Sequence, residues 1–233
     1  FDYPHPPPDP LQGEPSGWET SANLKEEEFT RAIGLGLFDY LRKSRSHGFV
    51  VSLSGGADSS AVSILCALAV HLGLSELGED GLRQKLDYLG NWPQSVTQRE
   101  LVSGLLTCVY QSTQNSSSTT REAAAAVAGA LGATYLELDV DDLVHGYVSL
   151  VSRAIGRPLS WQQDDLTLQN IQARARGPSV WMLANLRGAL LLATSNRSEA
   201  AVGYATMDGD TCGGLSPIAG IDKAFLRSWL QWM

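Results

Sequence analysis

The chain has 233 residues, 43% of them apolar and 18% charged, with a formal net charge of −8. That describes a globular domain long enough to bury a sizeable core, and the acidic balance excludes a broad nucleic-acid- or membrane-binding surface, which needs a basic field. It does not exclude a small anionic ligand, since a few cations and backbone N–H groups outweigh distant charge.

In chain order, FDYPHPPPDP opens as a proline-stiffened segment without the charged-then-apolar layout of a signal peptide. Residues 1–20 are expected to be a linker and 21–233 a single domain. From Leu24 onward, apolar residues recur at helical spacing (Phe29, Ile33, Leu37, Tyr40, Leu41), with acid at the start and base at the end, as the helix dipole prefers. GFVVSL is a short continuous apolar run of the sort buried in a parallel sheet. A helix is predicted over 58–72, a second strand over 105–110, a helix over 121–132 and a third strand over 133–140. Helices follow from Asp141 and from Asp164, then a fourth strand over 189–194 and a helix over 196–204. The chain stops in LRSWLQWM, partway through an amphipathic helix, so it reads as part of a longer polypeptide.

No apolar run approaches the roughly 20 residues of a membrane span. The three cysteines, Cys66, Cys108 and Cys212, show no CxxC spacing. No disulfide framework or zinc site follows from them, and a reducing cytoplasm is the expected location.

Strands alternating with helices predict an α/β fold with a parallel sheet, in which ligands bind at the carboxyl ends of the strands. SLSGGADSS, VYQSTQNSSSTT and LATSNRSE all fall at such ends. Three polar crossings at one edge of the sheet define the expected site.

The first crossing contains neither GxxxxGK[ST] nor GxGxxG, so the two familiar phosphate fingerprints are absent. One reading of SGGADSS is a tight strand-to-helix turn in which Asp58 or a serine caps the helix. The other is a cradle in which consecutive N–H groups meet an anion at the helix N-terminus, helped by the hydroxyls of Ser54, Ser59 and Ser60. Asp58 repels bare phosphate, so the cradle needs a divalent cation between them, as Mg2+ sits on one or two carboxylates plus phosphate oxygens. Further on, Asn196 and Glu199 have the spacing of a helix cap and its capping box.

SGGADSS resembles the pyrophosphate-binding loop of the N-type ATP pyrophosphatases. QSTQNSSSTTRE, QNIQARAR (169–176) and LLLATSNRSEAAVGYATMDGDTCGGLSPIAGIDK (190–223) resemble, in the same order, strings of the NAD synthetase family. The resemblance covers about residues 20–230 and is nearest to the glutamine-dependent enzymes, whose synthetase domain follows a nitrilase-like glutaminase domain through a proline-containing linker. It implies a three-layer α/β sandwich of the adenine nucleotide alpha-hydrolase-like (PP-loop) type, a glutaminase domain preceding this chain, and a synthetase domain truncated at its C-terminus. It also implies ATP-dependent amidation of deamido-NAD to NAD+ through an acyl-adenylate, with ammonia drawn from glutamine and AMP and pyrophosphate released. A homodimer or higher homo-oligomer is implied as well.

On this resemblance Ser54, Gly55, Gly56 and Ser59 hold the departing pyrophosphate, and Asp58 and Glu199 bind Mg2+. Lys223 and Arg174 are the cations on phosphate, and Thr194 lies near the adenylate and the ammonia entry. Asn170 and Asp210 contact deamido-NAD. Arg176 is set aside because it serves equally well as a surface ion-pair partner on the same helix, and Met207 stands where the shorter ammonia-dependent enzymes often carry lysine. The histidines, His5, His47, His71 and His145, are expected to be solvated or structural.

The rival readings are a GMP or asparagine synthetase, a tRNA-thiolating enzyme, and an ATP-binding module without catalysis. QARAR and NRSE disfavour the first two. The acidic balance and the lack of paired catalytic cysteines disfavour the third, and the presence of both Asp58 and Glu199 disfavours the last.

Overall fold

The computed structural model describes residues 16–90 and 97–233. The expected linker lies outside the described residues as far as residue 15. Its last part, Gly17–Thr20, forms a 3-10 turn in which the Trp18 ring lies 5.1 Å from the Arg31 guanidinium. The folded domain therefore begins a few residues before the expected boundary.

Four parallel strands form the sheet: β1 (Phe49–Ser52), β2 (Leu106–Ser112), β3 (Thr134–Asp139) and β4 (Leu190–Leu192), in the order β3-β2-β1-β4. Val50 stands opposite Thr107 on one side and Leu191 on the other, which fixes the register of the central strand. The helices are α1 (Leu24–Ser44), α2 (Ala57–Lys85), α3 (Gln98–Leu105), α4 (Ser118–Leu131), α5 (Asp141–Ile155), α6 (Trp161–Arg174), α7 (Gly177–Arg187), α8 (Arg197–Val202) and α9 (Lys223–Trp232).

β1 and β2 are buried along almost their whole length, as continuous apolar strands of a doubly covered sheet are. On one face Phe49, Val51, Leu106 and Leu192 pack with Leu65 of α2, Ala124 of α4 and Leu226 and Trp229 of α9. On the other, Val50, Val109 and Leu191 pack against Val180 and Ala184 of α7. The result is the expected three-layer sandwich. The chain moves outward from β1 to β2 and β3, then returns to place β4 on the other side of β1. That reversal opens a crevice at the carboxyl ends of β1 and β4.

Several elements differ from expectation, each for a local reason. The helix predicted over 58–72 continues to Lys85 and is broken at Gly78, whose φ is +66°. By length and composition α2 is apolar enough to cross a membrane, contrary to the expectation that no such run exists. Here it is the core helix, with Ala61, Val62, Leu65 and Cys66 fully buried. α3 was not anticipated. Its start is a capping box in which Glu100 N donates to Thr97 Oγ1 and Thr97 N to Glu100, so β2 begins at Leu106. α4 begins three residues early because Ser117 accepts from Thr120 N.

The helix expected from Asp164 starts at Trp161, and Asp164 itself leaves helical angles (φ −126°). Its carboxylate takes both Arg157 terminal nitrogens, at 2.7 and 2.8 Å, and the Ser160 N–H at 3.0 Å. Those bonds, Arg157 first, hold its pKa at about 2.

Candidate active site

The site is built at the switch point. Leu53 N still donates to Val109 O, so β1 is held to the sheet up to the loop. Gly55 then turns the chain at φ +81°, and a Cβ there would lie 2.3 Å from the Thr120 carbonyl oxygen. Only glycine meets both conditions. The serines bond among themselves: the Ser54 and Ser59 hydroxyls are 3.1 Å apart, Gly56 N donates to Ser54 Oγ, and Ser60 Oγ donates to Gly56 O at 2.7 Å. Gly56 at the N-cap of α2 provides no side-chain cap. The capped-turn reading of SGGADSS therefore fails, and Asp58 is not spent on the helix end.

Asp58 points instead at Lys223. The Lys223 ammonium lies 2.9 Å from Asp58 Oδ2 and 3.0 Å from Glu199 Oε1. The bond to Asp58 raises the Lys223 pKa, burial opposes it, and the bond to Glu199 adds to the rise. The second oxygen of Asp58 is buried without a hydrogen-bond partner.

Glu199 is held in place by its helix. Glu199 N donates to Asn196 Oδ1 at 3.0 Å, and Asn196 N reaches back to Glu199 Oε2 at 3.4 Å, completing the expected capping box. The α8 and α9 starts are then tied together. Arg197 N donates to Ile221 O, Lys223 N to Ser198 Oγ and Arg197 Nη2 to Asp222.

A cavity of about 300 Å³ is lined by residues of all three crossings, including Ser54, Gln111, Arg176, Thr194, Asp210 and Cys212; Asp58, Glu199 and Lys223 are not among its lining residues. Its volume is at the small end of the range for small-molecule pockets. Gly213 packs against the end of β4 so closely that a Cβ would be 2.4 Å from Ala193 N, which accounts for a glycine at that position.

The two arginines of QARAR are placed differently. Arg174 does not line the cavity; its Nε donates to the Met207 carbonyl at 3.0 Å and braces the loop that carries Asp210. Arg176 is no surface ion-pair partner. It is half-buried on the cavity wall, donates to the carbonyls of Gln111 (3.2 Å) and Gln172 (2.8 Å), and its pKa is lowered by burial. Among the described residues it makes no ion pair, so it is a cation facing the cavity.

Asn170 and Asp210 are brought together through Thr206, which donates its hydroxyl to Asn170 at 3.0 Å and its N–H to Asp210 at 2.7 Å. Only Asp210 of the two reaches the cavity. Gln111, not singled out from the sequence, is buried at the end of β2. It accepts from Ser52 Oγ at 2.9 Å and donates to the Arg176 carbonyl and Ser179 Oγ, both at 2.7 Å.

The histidines lie elsewhere: His71 bonds Gln98, and His145 pairs with Asp141 at 3.2 Å. His5 lies outside the described residues. Cys66 and Cys108 are fully buried, and burial pushes the Cys108 thiol to about 11, as inert core thiols require.

The donor set fits a hard divalent cation. Two carboxylates from separate crossings converge on one point, and one has a buried oxygen to spare. Among the described residues no group of three or more His, Cys, Asp or Glu is placed to hold a metal, so phosphate oxygens and water would complete the shell.

A parallel three-layer sheet with a glycine–serine loop at its switch point, facing an acid pair and a lysine, defines a nucleotide-binding α/β protein of the PP-loop fold. The NAD synthase family model matches residues 29–233, and the chain belongs to that family. It is 33% identical over 235 residues to a glutamine-dependent NAD(+) synthetase from Oryza sativa subsp. indica, covering 92% of this chain and 32% of the relative. The crystal structure of a glutamine-dependent NAD(+) synthetase from Cytophaga hutchinsonii superposes with a TM-score of 0.84 at 51% identity, over 89% of this chain and 37% of that one. The corresponding enzyme from Acinetobacter baumannii, in complex with ADP, shares the fold at 24% identity and a TM-score of 0.68, over 89% of this chain and 32% of that one. The chain spans about a third of the length of the curated relatives it matches.

Proposed function

We propose that this chain performs the ATP-dependent amidation of deamido-NAD to NAD+, with ammonia delivered from glutamine by a separate glutaminase domain. The observation that carries the reading is the meeting of Asp58, Glu199 and Lys223, from the starts of three different helices, α2, α8 and α9.

The nicotinate carboxylate attacks the α-phosphorus of ATP, and pyrophosphate leaves. Ammonia then attacks the acyl carbon of the adenylate, and AMP leaves. Adenylation is needed because a carboxylate has only oxide to expel.

The first step brings two anions together, so charge cancellation and alignment carry most of the barrier. The N-terminal amides of α2, with Ser54 and Ser59, receive the phosphate chain. Asp58 and Glu199 would hold Mg2+, which would supply neutralisation of the phosphate charge. Lys223 adds a mobile point charge, whereas Arg176 is fixed by two carbonyls and offers a rigid fork at the cavity wall. Thr194 closes the β4 side, and Asp210 offers an acceptor to the dinucleotide. Pyrophosphate release should require deamido-NAD together with ATP and Mg2+, and release of AMP with continued turnover should require ammonium as well. ATP cleavage that ignores deamido-NAD would sink the reading in favour of a GMP synthetase-like enzyme, and ATP binding with no cleavage under any of these conditions would favour a non-catalytic ATP module.

The partner copy in the homo-oligomer reading has a candidate surface. Leu143, Tyr147, Leu150 and Ile155 form an exposed stripe on α5, with Leu150 58% exposed. On α7, Val180 and Ala184 face the sheet while Met182 (64%) and Leu186 (80%) face outward, so the helix serves the core on one side only. Exposed apolar faces of this kind favour burial against a second copy. Analytical ultracentrifugation is expected to give a dimer or larger, and a monomer at tens of micromolar would contradict it.

A further inference from the structure

We propose that Lys223 decides how the divalent cation is admitted: its ammonium fills the gap between Asp58 and Glu199 until nucleotide phosphate draws it away, so the chain takes the cation with nucleotide and holds the free ion weakly. The inference rests on the metal reading of Asp58 and Glu199 above.

Lys223 touches both carboxylates at hydrogen-bond distance and so stands where the cation is expected. The two acids are the fixed members of the triad. Glu199 is locked by the Asn196 capping box, and Asp58 sits in the first turn of α2. Their side chains are 16% and 17% exposed, against 35% for Lys223, so the lysine has the open route to solvent. Its four-carbon stem lets the ammonium swing without moving the backbone, and the backbone itself is tied at Lys223 N to Ser198.

Nothing about helix stability asks for this lysine. It is the first residue of α9, the end of the helix dipole that disfavours a cation. The buried Asp58 oxygen without a partner marks coordination capacity that the ammonium leaves unused.

The charges then set the order of binding. With the ammonium in place, the pocket shows a free divalent ion a net charge of only −1 and a like charge at contact. A phosphate chain arriving on the α2 amides gives the ammonium a new partner and frees both carboxylates. Nucleotide and cation thereby bind with positive coupling, reciprocal by linkage, and the coupling runs through Lys223.

The test titrates the full chain with Mn2+ as probe, followed by electron paramagnetic resonance, with and without a non-hydrolysable ATP analogue. Without nucleotide, Lys223→Met should bind Mn2+ at least ten-fold more tightly than the unmodified chain, while the charge-retaining Lys223→Arg stays weak. Should the methionine variant fail to fold, Lys223→Gln, nearer in shape and polarity, takes its place. Mn2+ binding in the neutral variant equal to or weaker than that of the unmodified chain would overturn the exchange. Asp58→Asn and Glu199→Gln, titrated with the analogue present, separate the two claims. If they lose Mn2+ while the neutral variant gains nothing, the exchange alone fails. If they keep Mn2+, the metal reading falls with it.

Discussion

Two helix starts face each other across the switch point, and they are built oppositely. α8 is closed: Asn196 and Glu199 satisfy its first donors and place the Glu199 carboxylate by the geometry of the cap. α2 is open: Gly56 provides no side-chain cap, and Asp58 is turned away to Lys223. On the proposed reading a cap and a metal ligand are the same glutamate, whereas a phosphate-receiving end must leave its amides unspent. The closed start gives position, and the open start gives affinity for an anion.

The sharpest way to break this contrast is at Gly55. An alanine side chain there would have to tolerate φ near +81° and would drive its Cβ into the Thr120 carbonyl. Gly55→Ala should lower stability by at least about 2 kcal/mol and abolish nucleotide binding, as read by chemical denaturation and analogue titration. A folded variant with normal binding would show that the open loop does not depend on that turn.

A milder change addresses the closed start. Asn196→Ala removes the cap and should cost about 1 kcal/mol. The same change loosens Glu199, so the Mg2+ concentration needed for half-maximal turnover should rise several-fold. Loss of stability with unchanged Mg2+ dependence would separate the cap from the metal ligand.

The sheet was legible in the sequence because it depends on simple periodicity, and the members of the triad because their strings resemble those of a known family. GFVVSL and ALLLAT are apolar runs, and SGGADSS, NRSE and the lysine at 223 match a known family in order. Arg176 was set aside because QARAR reads as the inside of one helix, on which residues two apart point to different sides. In the structure α6 ends at Arg174 and α7 begins at Gly177, so Arg176 sits in the break and turns to the cavity. The signal was present: Pro178 in the first turn of α7 marks a helix start. α3 was also marked, by the Thr97-x-x-Glu100 box. Gln111 left no comparable trace, because a glutamine in a β-strand looks like any polar residue until its three partners are assembled from distant segments.

The central claim is that Asp58 and Glu199 together hold the ion that lets pyrophosphate leave. The direct measurement is deamido-NAD-dependent pyrophosphate release by Asp58→Asn, with ATP, Mg2+ and ammonium supplied and the fold checked by circular dichroism. The account predicts a fall of at least about a hundred-fold in a normally folded chain; release close to that of the unmodified chain would contradict it.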